Sequence, residues 1–338
     1  MPRDHYLIEN RVFFLLKKIP YLNGGCFVKL IKFSGKKPIE THEGKVTEAN
    51  RVISGKKYQV KTRSIQGQAI DIAFAAYDES SSKKRMAMAE RALRIDENCA
   101  EAYLLISEEF EGNPVMQAIY QELALIGATK NLGEKFFKNN AGHFWGLSET
   151  RTFMHAKYGL AVSLWKMRRQ SEAIEHFWEM LELNPNDNQG VRFNLFDFLL
   201  IDNQIKQISD LLKLYPEEDM AHWYYNLALY YFKTQGMESK KAHEFVNMAV
   251  KQNAIVLEYL VAEKEIPDET PEMYTMGSRE EAILCVTDSV IAWFNTPGSL
   301  EWLEMLTKNT NVKTFIKASK KNKSPAPRKK SRELQSDR

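Results

Sequence analysis

The chain has 338 residues, 44% of them hydrophobic, a formal net charge of +3 and three cysteines. That length and apolar content can bury a substantial core, either in two ordinary domains or in one elongated array. No apolar run nears the roughly 18 residues a membrane span requires, and Cys26, Cys99 and Cys285 form no CxxC pair, which speaks against a disulfide framework or a thiolate zinc site.

The small net charge hides an asymmetry. Residues 1–65 carry a net +9 and residues 317–338 a net +7, which leaves −13 on the body between them. The start of the chain has no apolar stretch followed by a small-residue cleavage site, so a cytoplasmic protein without membrane insertion is expected.

In residues 1–65, Tyr6 to Ile19 could form a short helix ended by Pro20, and Phe27 to Phe33 or Lys57 to Thr62 short strands. Frequent glycines leave this basic segment weakly structured or a small α/β piece. Ser34-Gly35-Lys36-Lys37 and Ser54-Gly55-Lys56-Lys57 lack the extra glycine and the hydroxyl of a phosphate loop, so they read as basic turns.

From residue 66 the period changes to that of helices. Gln68 to Tyr77 and Lys83 to Ile95 make a first pair, and Ala100 to Phe110 and Pro114 to about Ala128 a second. Residues 130–150, with Phe136, Phe137, Phe144 and Trp145, form an aromatic insertion that should be pinned to the body. The stretch Thr152 to Asn188 then holds two amphipathic helices, stopped at Asn184 by Pro185. Leu160, Ala161 and Leu164 on the first face Ala173, Phe177 and Met180 on the second. Asp187 or Asn188 can accept hydrogen bonds from the first backbone N–H groups of the next helix.

Hairpins continue through Asn188 to Leu214 and from Ala221 past Ala249. Beyond Asn253 a short helix at Ile255 to Glu263 and a longer one from Ser278 to Phe294 follow, with Trp293, Phe294, Leu300, Trp302 and Leu306 available to cap the end. Residues 307–338, rich in Lys, Arg, Ser and Pro, are expected to be a basic disordered tail.

The small and apolar residues of Thr152 to Asn188, repeated at a spacing of about 34 residues, resemble the tetratricopeptide repeat (TPR). The run from His143 to Arg192, with Asn184-Pro185-Asn186-Asp187-Asn188-Gln189-Gly190, is similar to bacterial TPR proteins related to the repeat region of the suppressor-of-tumorigenicity-7 family. The resemblance covers residues 66–306. It implies an all-α solenoid of antiparallel hairpins and brings no catalytic residues. In such a solenoid certain first-helix positions line a concave groove, here His155, Tyr158, Trp165, Arg192, Phe196, His222, Tyr225 and Asn226.

No spacing of histidines, cysteines or acids points to a catalytic centre, a cofactor or a metal. His143 and His155 lack paired-ligand spacing, and Asp187 to Gln189 lack the alternating pattern of a calcium loop. The leading expectation is a non-catalytic scaffold that binds a peptide or helix of a partner protein in the groove. The alternative is a nucleic-acid accessory protein that uses its basic ends, disfavoured by the acidic body.

Overall fold

The computed structural model describes residues 64–308, residue 272 aside, and before them the backbone of five short strands. β1 (Leu7–Ile8), β2 (Val12–Lys18) and β3 (Phe27–Ile31) form an antiparallel sheet in that order, with Phe14 opposite Leu30. β4 (Asn50–Ile53) pairs antiparallel with β5 (Lys56–Gln59). The helix expected over Tyr6 to Ile19 is therefore corrected to a strand: Val-Phe-Phe-Leu-Leu has the branched and aromatic content of a strand and no polar face at helical spacing. The Ser34 to Lys37 piece and the tail beyond residue 308 lie outside the described residues.

From residue 64 onward the described chain is all-α, and its helices pair as hairpins in α1–α2, α3–α4, α8–α9 and α10–α11. Its helices are α1 (Ile65–Tyr77), α2 (Ser82–Ile95), α3 (Ala100–Glu108), α4 (Pro114–Leu132), α5 (Glu134–Asn140), α6 (Ser148–Lys166) and α7 (Gln170–Leu183). After them come α8 (Val191–Ile201), α9 (Ile205–Leu214), α10 (Ala221–Gln235), α11 (Lys240–Leu260), α12 (Arg279–Phe294) and α13 (Ser299–Lys308). None of the described helices is long and apolar enough to cross a membrane.

The chain divides into two compact units. Unit 1 holds Met1–Asn139 and Ser148–Met167, and unit 2 holds Asn140–Leu147 and Arg168–Arg338. The division falls between α6 and α7, inside the stretch whose pattern most resembles one repeat.

In unit 1, α1 packs on α2 and α3 on α4, while α6 packs on α4. Small residues permit this. Ala69, Ala73 and Ala76 of α1 and Ala89 and Ala92 of α2 are fully buried. Gly127 brings α4 against the α2–α3 connection so closely that a Cβ there would lie 2.6 Å from the Asn98 carbonyl oxygen. The insertion is mostly helical rather than a loop: α4 continues to Leu132, and α5 and a 3₁₀ turn at Phe144–Gly146 follow. Phe137 packs edge-on against Phe153 at 5.0 Å within unit 1. Phe144, which belongs to unit 2, is wholly buried.

In unit 2, α7 buries Ala173, Phe177 and Met180 on one stripe and stops at Asn184, before Pro185. Asp187 caps α8: its carboxylate accepts from Val191 N at 2.8 Å and from Arg192 N at 2.9 Å. Gly190 supplies the left-handed φ of 74° at that helix start. A helix break interrupts α11 at Asn253, where the backbone leaves helical geometry at φ −152° and ψ 97°. The freed amide of Asn253 donates to Ser278 O and to Glu281 Oε2, both at 2.8 Å, while its oxygen accepts from Ile255 N. This tie fixes the start of α12.

The end of the array is closed by Trp293 and Trp302, stacked at 6.5 Å, 0% and 2% exposed, with neither indole N–H hydrogen-bonded. Phe294 is 76% exposed, which removes it from the expected cap. It points outward because Trp293, its neighbour, takes the inward position, and adjacent helical residues cannot share a face.

Candidate functional site

The eight groove positions expected from the repeat pattern divide between the units. His155, Tyr158 and Trp165 lie on α6 in unit 1, where His155 is exposed and the two aromatics are half-buried. They occupy one side of the helix together with Thr152, whose hydroxyl donates to Glu101 of α3 at 2.9 Å. On α1, which packs on α3 as α6 does, Phe74 and Tyr77 are 56% and 44% exposed, and the Tyr77 hydroxyl reaches Glu108 of α3 at 3.5 Å. Burial, then the repulsion of Glu109, raises the Glu108 carboxyl above its ordinary range.

The other five positions lie in unit 2. Phe196, Tyr225 and Asn226 are 0% exposed, so their expected place on an open groove is corrected. The cause is α12, which packs against both α8 and α10 and covers the face that these first helices would otherwise present. The buried face of α12, including Ala282, Cys285, Val286 and Ser289, completes the core there.

Arg192 is also not a free groove cation. Its guanidinium bonds Asp187 at 2.9 Å and Glu218 at 2.6 Å, and lies 4.4 Å above the Phe193 ring. Glu218 in turn accepts from Asp219 N and Met220 N just before α10. Arg192 therefore ties the N-terminus of α8 to the approach to α10.

His222, the fifth position, belongs to a polar cluster built by three helices. α8 supplies Asp197, α10 supplies His222 and Asn226 one turn apart, and α12 supplies Asp288. His222 Nε2 lies 3.0 Å from each Asp197 oxygen, and the Asn226 amide donates to Asp197 Oδ1 at 2.8 Å. One ligand-capable atom from each of Asp197, His222 and Asp288 lies within 4.8 Å of the others. Phe193 stacks on the His222 ring at 5.6 Å, which fixes its plane.

The charges in this cluster do not balance. Burial disfavours the imidazolium of His222, but the Asp197 carboxylate outweighs it and the pKa is raised. Asp288, midway along α12 and reaching solvent, is still partly desolvated, and this, then repulsion from Asp197, pushes it up to about 6. Burial, with the nearby carboxylates, also pushes the Cys285 thiol well up, which favours its neutral form. The buried Asn226 Oδ1 receives no hydrogen bond, whereas Asp197 Oδ2 shares the His222 Nε2 with Asp197 Oδ1.

The sequence pattern selected His222 and Asn226 but missed Asp197 and Asp288. One signal was available for Asp197: a lone acid inside Val-Arg-Phe-Asn-Leu-Phe-Asp-Phe-Leu-Leu-Ile must be buried and therefore partnered. Asp288 carries no comparable signal, since nothing local says that α12 folds back on α8.

No family model matches the chain, and no curated protein matches it. Among solved structures it is similar to YrrB, a TPR protein with an unusual peptide-binding site, at 20% identity and a TM-score of 0.39, over 54% of this chain and 83% of that one.

Proposed function

We propose that the chain is a non-catalytic protein-interaction scaffold that binds a peptide or short helix of a partner protein on the first-helix side of unit 1. The observation that carries this reading is a contrast in burial. The first helices of unit 2 are covered by α12, whereas α1 and α6 of unit 1 leave Phe74, Tyr77, His155, Tyr158 and Trp165 wholly or partly open. Aromatic side chains of this kind, set among Glu101 and Glu108, suit an apolar anchor flanked by basic or hydrogen-bonding groups. The kinship to the suppressor-of-tumorigenicity-7 repeats belongs to the same proposal. The segment that suggests it, Asn184 to Gly190, serves here to stop α7 and cap α8.

The test is affinity capture from the native lysate with wild-type chain, Trp165→Ala and Phe74→Ala, read by quantitative mass spectrometry. Loss of a central aromatic anchor costs about 2 kcal/mol or more, so capture should fall roughly 30-fold while helicity is retained. The same proteins captured at the same yield by both variants would overturn the assignment.

A further inference from the structure

We propose that Asp197, His222 and Asp288 bind one divalent transition-metal ion, of the zinc type, that clamps α12 onto α8 and α10. This goes beyond the scaffold reading and does not depend on it.

Three observations converge. The donor set, one imidazole nitrogen and two carboxylates, is that of borderline divalent metals. The donors come from three different helices and lie within 4.8 Å of one another. Ligand atoms around a four-coordinate zinc are about 3.3 Å apart, given bonds near 2.0–2.1 Å. His222 Nε2 and Asp197 are hydrogen-bonded at 3.0 Å, so a metal would displace the proton between them with little movement, while Asp288, the exposed member, closes in.

A further, independent observation is the unpaired oxygen of Asn226. Asn226 is 0% exposed, yet its Oδ1 accepts no hydrogen bond. A buried acceptor left empty is costly in a native core. A cation between the three ligands would displace the proton that His222 Nε2 shares with Asp197 and bind both groups directly. A water in the metal's remaining position would donate to Asn226 Oδ1, whose amide is anchored on Asp197 at 2.8 Å. His222 offers its Nε2 toward the site and is held by Phe193, so the ring is oriented before any metal arrives. Asp288, at the exposed edge, leaves a route in from solvent.

The experiment uses the full chain freed of metal by chelation and titrated with zinc chloride, read by native mass spectrometry, calorimetry and thermal melting. One zinc per chain, a raised melting temperature and slower hydrogen exchange across α12 are expected. Asp288→Asn, at an exposed position, should fold normally and bind at least tenfold more weakly. Asp197→Asn should do the same; if that buried variant does not fold, Asp288→Asn decides the matter alone. Absence of zinc binding at 100-fold excess, or wild-type affinity in Asp288→Asn, would overturn the site. Magnesium should leave the melting temperature unchanged, and an equal response to magnesium would reduce the site to a non-selective acidic patch and refute the assignment.

Discussion

Arg192→Ala should lower the stability of unit 2 by about 3 kcal/mol, the lower end of the range for breaking a buried ion pair. The lower end applies because the Arg192 and Glu218 side chains keep 17% and 11% of their surface in water. The main cost is Asp187, only 1% exposed, left without its guanidinium. Glu218 and the face of Phe193 lose their partner as well. For a unit of this size the melting temperature should drop by roughly 6–12 °C. Arg192→Lys should rescue little, since one ammonium cannot serve both carboxylates and stack on a ring.

The loss should depend on pH in a definite direction. Burial holds the Asp187 carboxyl above its ordinary range even with Arg192 beside it. Without Arg192 the folded pKa rises further above the unfolded one, and such a group costs stability at high pH, a cost that fades as pH falls through the folded value. The gap between wild type and Arg192→Ala should therefore narrow between pH 7.5 and pH 5 in urea denaturation. A gap that widens on acidification would contradict the buried-carboxylate explanation.

Tyr225→Ala should be at least as damaging, at about 3–5 kcal/mol, because a fully buried aromatic side chain is removed from the core where α10 meets α11. Tyr225→Phe should cost only about 1–2 kcal/mol. It keeps the ring and loses the hydroxyl bond to the Asn253 carbonyl, 3.0 Å away at the break in α11. The ratio separates two roles for this residue. A ligand-facing tyrosine would tolerate truncation within about 0.5 kcal/mol, as surface positions do. Equilibrium unfolding of the two variants supplies the comparison.

Local signals were legible in the sequence wherever a single residue dictated the backbone. Pro185 stopped α7, Asp187 capped α8, and the loss of periodicity at Asn253 marked a real break. Small and apolar residues at helical spacing predicted the pairs α1–α2, α3–α4, α8–α9 and α10–α11, because helix pairing there is local. What was not legible is long-range. Nothing near Phe196 or Tyr225 in the chain announces that α12, far downstream, lies across them. The repeat pattern assigned them to a groove that this helix fills. Arg192 shows the same limit, since its partner Glu218 lies 26 residues away. The strand at Val12–Lys18 was misjudged for a different reason: a five-residue apolar run, Val12 to Leu16, is too short for its period to separate helix from strand, and pairing with β3 decided it.

The division into a covered face in unit 2 and an open one in unit 1 is tested most directly by hydroxyl-radical footprinting of the intact chain, with oxidation mapped residue by residue. Rapid modification is predicted at Phe74, Tyr77, Trp165 and the outward-facing Phe294, and protection at Phe196, Trp223, Tyr225, Trp293 and Trp302. Oxidation of Tyr225 and Phe196 at the rate of Trp165 would mean that α12 does not cover the first helices of unit 2, and would contradict the account.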